Sequence, residues 1–480
     1  MAGRGVSPPP LQDLANRALI GADQRRATLQ PGSGLGNHGR QGKIGNTDLA
    51  NSGPQTTTRL RPRIVIVGAG FAGLTLARNL RRAAVDVVLL DHHNYHLFTP
   101  LLYQVASSQL DPSEIAQPIR KLVRRIHNCD FRLANVVGID PGGKSVVTEQ
   151  GAVPYDYLVL AAGSVSNYFG NDKLKEHSLG LKNLPDAMAL HNWVLQRFEM
   201  ASWEPDLERR AQLITFTVVG GGPTGIEFAG ALLELIQPVL RKDFRGVDIS
   251  GAQVLLVEAS SQILSAFKPR LRQAAARSLA RRGVKLLLDS PVRSIESQRM
   301  ILKDGRTIPT SSVIWTAGVC GSPVGGYLDV ELDRMGRVPV SRSLQVAAHP
   351  EVMVIGDLAS LDDLPMLAQV AIQEARLASA NIQALIEGRD VGQFRYHDRG
   401  IMATVGRNSA IAEIGPFQFS GFVGWVLWLV VHLANILTFR ARLFTLLNWG
   451  WDYIARDRPI RLLVQARPVG DAGDLGEPEA

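Results

Sequence analysis

Two glycine-rich turns are the features of this sequence whose residue spacing points most directly to chemistry. Both follow the pattern GxGxxG after an apolar run, as in "RIVIVGAGFAGLTLARNL". The glycines are Gly68, Gly70 and Gly73 in the first turn and Gly220, Gly222 and Gly225 in the second. In such turns the first glycine permits a tight bend, the second lets backbone approach a pyrophosphate, and the third lets the helix pack on the sheet. The helix N-terminus favours an anion, so each turn predicts a site for a dinucleotide phosphate.

An acidic residue closes the second strand of each unit. Asp91 lies 23 residues after Gly68, and Glu258 ends the strand in "AQVLLVEA". A carboxylate in this position accepts a hydrogen bond from a ribose hydroxyl. Glu258 is followed by Ala-Ser-Ser, without an arginine to hold a 2′-phosphate, so the second turn is predicted to take NADH rather than NADPH. The repeat of the whole unit predicts two dinucleotides in one chain.

The elements that position these groups are two βαβ units, each with a buried apolar strand, a turn, a helix and a second strand. Further apolar segments predict strands at 155–163, 312–318 and 351–357. The first two end at Gly163 and Gly318, where we expect the chain to cross between domains. A helix is predicted over about 365–387, and Gly388 is placed to end it. The expected class is α/β, with two Rossmann-like dinucleotide-binding domains.

Charge and cysteine content exclude several other classes of protein. The net charge of +8 is concentrated in residues 1–63 and 440–467, and no nucleic-acid motif is present, so no nucleic-acid partner is expected. Cys129 and Cys320 lie 191 positions apart without a CxxC or a His-rich neighbour. A metal site and a disulfide framework are therefore not predicted. The first 62 residues have too few large apolar side chains to pack and are predicted to be disordered.

Several segments together give the chain a family resemblance. These are "HLFTPLLYQVASSQLDPSEIAQPIR" (96–120), "YDYLVLAAGSVSNYFG", "VVGGGPTGIEFAGALLEL" and "LAQVAIQEA". Over about 63–465 the sequence resembles the flavoproteins with two dinucleotide-binding domains, and among them the type II NADH dehydrogenases. These are single-subunit NADH:quinone oxidoreductases that pump no protons. The resemblance implies tightly bound FAD in the first unit, with Asp357 of "VMVIGD" directed at the ribityl chain, NADH as co-substrate, and quinone as acceptor.

The resemblance also implies roles for three polar side chains. The family pattern AQxAxQ starts here at Ala368 and is associated with the quinone pocket. Gln369 and Gln373 are four residues apart, so they share one helix face and can hydrogen-bond a ring carbonyl. The other interpretation is that they are ordinary exposed glutamines. Glu227 matches a family glutamate near nicotinamide and flavin, where it could relay a proton. Alternatively, it only complements the helix dipole.

The implied domain organisation has two discontinuous parts of an FAD-binding domain around an NADH-binding domain. The parts are a disordered extension (1–62), the FAD-binding domain (63–163 and 319–390), the NADH-binding domain (164–318), a C-terminal membrane-association region (391–467) and a disordered tail (468–480).

The stretch "FVGWVLWLVVHLANILTF", residues 422–439, carries no charge and could be long enough to span a membrane. If this stretch crossed the membrane with Arg440 and Arg442 on the inner side, as the positive-inside rule favours, the enzyme would lie outside. If the enzyme lay inside, the two arginines would lie outside, against that rule. We therefore predict amphipathic helices lying in the membrane interface over 420–464. The residues expected to face lipid are Leu443, Leu447, Trp451 and Ile454. Those expected to face water are Arg442, Asp452 and Arg456. The tryptophans that suit the headgroup boundary are Trp425, Trp428, Trp449 and Trp451. A span and a buried dimer interface remain the alternatives.

Membrane quinone as acceptor implies peripheral attachment to the cytoplasmic face of a bacterial inner membrane, or to the matrix side of the mitochondrial inner membrane. We also expect a homodimer. Two other functions remain open. A sulfide:quinone oxidoreductase would need a pair of redox cysteines near the flavin, which Cys129 and Cys320 do not provide in sequence. A redox scaffold that binds FAD and NADH would have no need of the apolar C-terminal stretch.

Overall fold

The structure is a computed structural model that describes residues 61–244, 249, 251–455, 457–458 and 460–464. The predictions of disorder for 1–62 and 468–480 fall outside this part of the chain, apart from Arg61 and Pro62. The predicted water-facing position of Arg456 is outside it as well.

The first sheet has six strands and carries the first glycine turn. In order across the sheet the strands are Gln345–Val346, His349–Val354, Tyr157–Leu160, Arg63–Val67, Asp86–Asp91 and Cys129–Leu133. All neighbours are parallel except the first pair. Ile64 and Ile66 pack into one apolar cluster and Val65 and Val67 into another, so this strand is buried on both faces. Burial on both faces is typical of parallel sheets and explains the uninterrupted apolar run in the sequence.

The second sheet has five parallel strands and carries the second turn. Their order is Leu179–Gly180, Ser312–Trp315, Thr215–Val219, Gln253–Val257 and Val284–Leu287. The predicted strands at 155–163, 312–318 and 351–357 are thus confirmed, two in the first sheet and one in the second. Two Rossmann-like sheets in one chain confirm the expected fold class. The exact domain boundaries stay a prediction.

Helices cover both sheets and join them to the C-terminal part. The longer helices are Phe71–Asn79, Leu184–Trp203, Pro223–Leu235, Pro269–Arg282, Ala368–Ile386, Phe422–Asn435 and Phe439–Ala455. Shorter ones are Leu102–Ala106, Pro112–Ile115, Ile119–Val123, Asp172–Glu176, Leu207–Leu213 and Arg241–Asp243. The predicted helix over 365–387 is observed as Ala368–Ile386, and Gly388 follows it with a positive φ of 67°. This left-handed glycine ends the helix as predicted.

Small sheets complete the fold, all of them antiparallel except the pair Val338–Pro339 with Ala359–Ser360. Three-stranded sheets are formed by Val136–Asp140, Ser145–Thr148 and Gly151–Pro154, and by Val292–Glu296, Arg299–Leu302 and Thr307–Pro309. Two-stranded sheets pair Ser164–Ser166 with Val319–Gly321, Tyr95–Leu97 with Ala116–Pro118, and Val338–Pro339 with Ala359–Ser360.

The C-terminal region begins with a small sheet that the sequence analysis did not predict. A three-stranded antiparallel sheet, Ile401–Gly406, Ser409–Ile414 and Phe417–Gly421, precedes the two helices. Its turns contain Asn408 and Gly415, both with positive φ, which is the usual chemistry of a hairpin. The first of these strands packs on the helix Pro223–Leu235. The sheet therefore connects the second glycine turn to the C-terminal helices.

Within the described residues no helix is long and apolar enough to cross a membrane, since the apolar stretch breaks at Ile436 into two shorter helices. Leu443, Leu447, Trp451 and Ile454 are all exposed, and their contact with lipid stays a prediction. Two expectations for this stretch are wrong. Asp452 is half-buried and lies 3.9 Å from the buried guanidinium of Arg458. Trp428 is only 1% exposed and so cannot stand at a headgroup boundary.

Candidate active site

The first glycine turn is held by contacts that leave its helix end open. Gly68 has a φ of 102°, and a side chain on it would meet the Ala161 carbonyl oxygen at 2.3 Å. A side chain on Gly73 would lie 1.8 Å from the Gly68 oxygen. Asp91 accepts a 2.6 Å hydrogen bond from the Ala69 amide. Gly70 begins the helix without a side-chain cap, so its first N–H groups remain available to an anion.

The second turn repeats the same geometry. Gly220 has a φ of 113°, and a side chain on Gly225 would lie 2.0 Å from the Gly220 oxygen. Glu258 accepts a 2.6 Å hydrogen bond from the Gly221 amide with one oxygen and bonds from Ser260 with the other. A carboxylate has about four acceptor positions, so both Asp91 and Glu258 retain capacity for a ribose hydroxyl. Gly222 likewise begins its helix without a side-chain cap.

The central glycine of each turn fits a bound dinucleotide. A Cβ built on Gly70 or on Gly222 meets no protein atom within 4 Å, although the flanking glycines are tightly packed. Protein packing therefore does not require glycine at these two positions, whereas close approach of a ligand to the backbone would. The predicted binding role of the six turn glycines rests on this contrast and stays a prediction.

Asp357 belongs to a polar cluster that joins residues on both sides of a chain crossover. Its carboxylate accepts a 2.5 Å bond from Ser164, directly after Gly163, and lies 3.9 Å from the Lys182 ammonium. Lys182 also donates to the Ser164 hydroxyl at 2.8 Å. The predicted crossover residues Gly163 and Gly318 both have positive φ. No local sequence pattern predicts a role for Lys182, because its contacts are with residues 18 and 175 positions away.

The helix Ala368–Ile386 presents its glutamines to protein backbone. Gln369 donates to the Gly400 carbonyl at 3.1 Å and accepts from the Arg399 amide at 3.1 Å. Gln373 makes the same pair of bonds with His397, at 2.9 and 3.0 Å. Each amide retains one N–H and one acceptor position. In this arrangement the glutamines fix the segment 397–400, and their contact with quinone stays a prediction.

The N-terminus of this helix can accommodate a negatively charged group. Leu367 precedes Ala368 without a side-chain cap, so the positive end of the helix dipole is open. Glu374, which the sequence reading missed, is buried and accepts a 2.5 Å bond from the Gly356 amide next to Asp357. Burial raises the pKa of Glu374 to about 8. A neutral carboxyl here reduces repulsion with the neighbouring Asp357.

Glu227 lies in the first part of the helix Pro223–Leu235 and points into the protein interior. It accepts a 3.2 Å bond from the Thr404 amide of the C-terminal sheet. Burial raises the pKa of Glu227 to about 8, so at neutral pH the carboxyl carries a proton. An exposed acid that only complemented a helix dipole would stay charged, so the dipole interpretation does not fit this buried carboxyl, and the proton relay stays a prediction.

A cavity of about 1050 Å³ is lined by residues of this helix and of the segment that follows it, from Glu227 to Arg241. Tyr103, Glu227 and Trp428 line its buried end, whereas the exposed Val430 and Ile454 line its outer end. The C-terminal helices supply most of the aromatic wall, including Trp425 and Trp449. We define the end formed by Tyr103, Glu227 and Trp428 as the inner end of the cavity.

The two cysteines lie in different sheets. Cys129 begins an edge strand of the first sheet, and Cys320 lies in the two-stranded sheet Ser164–Ser166 with Val319–Gly321. Both thiols are free, and burial raises the pKa of Cys129 to about 12. Such a thiol is protonated at neutral pH and is a poor nucleophile. The arrangement does not offer the cysteine pair that thiol-based quinone reduction requires.

The comparisons with known proteins first give the class. A family model described as pyridine nucleotide-disulphide oxidoreductase matches residues 62–375, the part of the chain that holds both glycine turns.

Individual relatives narrow this class. The chain is 42% identical over 413 residues to the type II NADH:quinone oxidoreductase Ndh of Mycobacterium tuberculosis, which covers 83% of this chain and 89% of that protein. It is 38% identical over 425 residues to NdhA of the same organism, with coverage of 85% and 90%. The chain belongs to the type II NADH:quinone oxidoreductase family, which confirms the resemblance seen in the sequence. In fold it is similar to NDH2 from Plasmodium falciparum, solved in complex with NADH, with a TM-score of 0.77, 16% identity and coverage of 84% and 100%.

Proposed function

We propose that this chain oxidises NADH and reduces a membrane quinone by way of tightly bound FAD, without pumping protons. The overall reaction converts NADH, one proton and quinone into NAD⁺ and quinol. The single observation that carries the proposal is the pair of uncapped, ligand-accessible glycine turns in two separate sheets, since two dinucleotides are needed for this transfer. The family membership supports it independently.

We assign FAD to the first turn and NADH to the second. When bound, FAD accepts a hydride from NADH and passes two electrons to quinone. Gly68, Gly70 and Gly73 would hold its pyrophosphate, Asp91 its ribose, and Asp357 its ribityl chain. Gly220, Gly222 and Gly225, with Glu258, would hold NADH in the same manner. The protein thus supplies orientation and exclusion of water rather than a nucleophile.

We place the quinone ring in the inner end of the cavity beside Glu227. The aromatic and aliphatic walls suit an isoprenoid tail, and the outer end lies between the apolar C-terminal helices. Gln369 and Gln373 support this site by fixing the segment 397–400, which leads into the strand that bears Thr404. Glu227 is the proton donor in this proposal, because reduction of quinone requires one proton beyond that carried by the hydride.

Membrane attachment through residues 420–464 completes the proposal. The exposed apolar side chains on the C-terminal helices are Phe422, Val423, Val430, Phe439, Leu443, Phe444, Leu446, Leu447, Trp451 and Ile454. A surface of this kind is typical of proteins that lie in a membrane interface. We propose attachment to the cytoplasmic face of a bacterial inner membrane, because the relatives at 42% and 38% identity are bacterial. The homodimer also remains a proposal.

The test uses the purified full-length chain. We expect FAD in equimolar amount with protein, and NADH oxidation that depends on a short-chain ubiquinone or menaquinone. Sulfide in place of NADH should give no quinone reduction, which separates this function from the sulfide:quinone alternative. A redox scaffold would bind FAD and NADH but reduce quinone only slowly. Protein without flavin, or flavoprotein that does not react with NADH, would contradict the proposal.

A further inference from the structure

The inner end of the cavity contains more hydrogen-bond donors than the surrounding protein satisfies. The indole Nε1 of Trp428 is buried and has no hydrogen-bond partner of acceptable geometry among the described residues. The Glu227 carboxyl lies close enough to accept a poorly aligned hydrogen bond from it, which lowers the pKa of that acid but does not satisfy the indole donor. An unpartnered buried donor costs roughly 1–3 kcal/mol, so natural sequences keep few of them without a reason.

Tyr103 supplies a second donor, and its orientation follows from a chain of bonds. The indole of Trp449 is only a donor, so the oxygen of Gln104 must face it, at 2.9 Å. The amide nitrogen of Gln104 therefore faces the Tyr103 hydroxyl, also at 2.9 Å. Tyr103 accepts this bond and keeps its own proton for another partner. Among the described residues this hydroxyl donates no hydrogen bond, and the side chain is only 3% exposed to solvent.

The third donor is Glu227, because its carboxyl is protonated at neutral pH. Its other close neighbours are uncharged, namely the Thr404 amide, Tyr103 and Trp428. The nearest charges at this end are Glu234 on the same helix and Arg458 of the C-terminal segment. The Arg458 guanidinium and the Glu234 carboxylate are 3.5 Å apart, so their opposite charges largely compensate each other at this end of the cavity.

We propose that Tyr103 and Trp428 are catalytic residues that donate hydrogen bonds to one carbonyl oxygen of the quinone, beside the proton donor Glu227. This assignment rests on the proposed quinone reduction. Three donors at one end of the cavity suit an oxygen that arrives neutral and gains negative charge as the ring is reduced. The flat aromatic faces of Tyr103 and Trp428, whose ring centroids are 6.5 Å apart, form walls for a planar ring.

The proton and electron balance is complete with these groups. The electron pair comes from NADH, and the carbonyl π bond opens as its oxygen takes a proton from Glu227 to form an O–H bond. Glu227 regains a proton from water. The other quinone oxygen is protonated by the hydrogen that leaves NADH as part of the hydride. The sum is NADH, one proton from the medium and quinone going to NAD⁺ and quinol.

Single-group deletions with matched controls test the assignment. Tyr103→Phe removes one hydroxyl from the inner end, and Tyr453→Phe removes one from the outer part of the same cavity. Trp428→Phe and Trp203→Phe form the second pair, because Trp203 is exposed and lies outside this cavity. We expect Tyr103→Phe and Trp428→Phe each to weaken binding of oxidised short-chain ubiquinone about fivefold, as for loss of one hydrogen bond, and to lower the quinone kcat further. The two controls should stay within twofold of wild type.

NADH-driven reduction of a water-soluble dye serves as the readout of folding and flavin content, and it should be unchanged in Tyr103→Phe. If wild type reduces quinone but Tyr103→Phe and Trp428→Phe bind and reduce it like their controls, the assignment is wrong while the proposed function stands. If wild type itself does not reduce quinone, the proposed function fails first. Should Trp428→Phe not fold, Tyr103→Phe alone decides, because it leaves the ring in place.

Discussion

Replacing Gly222 by alanine tests whether glycine is needed at this position for binding of a ligand or for folding of the protein. Gly222 has φ −76° and ψ 178°, an extended conformation open to any residue, and an added Cβ would meet no protein atom within 4 Å. The folded chain should therefore accept alanine, with a gain of about 0.4–1 kcal/mol from the less flexible unfolded state. Gly225→Ala would not be informative, because its Cβ would lie 2.0 Å from the Gly220 oxygen.

The expected effect on NADH is large. The methyl group would occupy the space in which a pyrophosphate approaches the backbone, and at least one charge-assisted hydrogen bond would be lost. Such a bond contributes about 1.5–3 kcal/mol, which corresponds to roughly 10- to 150-fold weaker NADH binding. FAD content should not change, because the first turn is in the other sheet. The corresponding Gly70→Ala variant should show the opposite pattern, with FAD lost.

The assay is the dependence of flavin bleaching on NADH concentration under anaerobic conditions, with released flavin measured in parallel. Gly326→Ala is the matched control, since an added Cβ there also meets no atom within 4 Å and the φ is not positive. Gly222→Ala protein that binds NADH like wild type would refute the assignment of the second turn. Loss of FAD from the same variant would show that the two turns have been assigned in the wrong order.

Further expectations concern buried charge and the exposed apolar surface. Because the folded-state pKa of Glu227 is raised from 4.5 to about 8, its contribution to stability is present below pH 4.5 and lost as pH rises toward 8, by at most about 5 kcal/mol. The melting temperature of Glu227→Gln should therefore gain on wild type between pH 5 and pH 8, and a constant difference would argue against the buried neutral acid. Arg458 donates hydrogen bonds to two backbone carbonyls in the interior. The substitution Arg458→Met should therefore lower the free energy of unfolding by about 3–5 kcal/mol. Arg389→Met, at an exposed position, should change it little. Leu447→Glu should reduce sedimentation with anionic vesicles while dye reduction is kept, whereas Leu207→Glu, at another exposed apolar position, should bind vesicles normally.

Local sequence patterns predicted those parts of the fold in which adjacent residues carry the signal. The run "RIVIV" with Gly68, Gly70 and Gly73 contains a strand, a turn and a helix start, and the structure has all of them in place. The same holds for the strand that ends before Glu258. In these units backbone conformation, helix packing and burial all depend on a stretch of about 30 residues, so periodicity and glycine spacing were sufficient.

Contacts between distant segments could not be predicted in this manner. Lys182 meets Asp357, and Trp428 meets Glu227, only because separate elements pack together. Trp428 looked like a headgroup residue because its helix is apolar on all sides, and composition does not show which face of such a helix is buried. The hairpin turns at Asn408 and Gly415 were not predicted, because a single asparagine or glycine does not distinguish a hairpin from other turns.

The central claim is that electrons pass from NADH to quinone through a flavin held in this chain. The most direct measurement mixes the purified protein anaerobically with NADH and then with a short-chain quinone, while flavin absorbance is followed. We expect bleaching on the first addition and full recovery on the second, with one quinol formed for each NADH consumed. Absorbance that does not respond to NADH, or that bleaches but does not recover with quinone, would contradict the account.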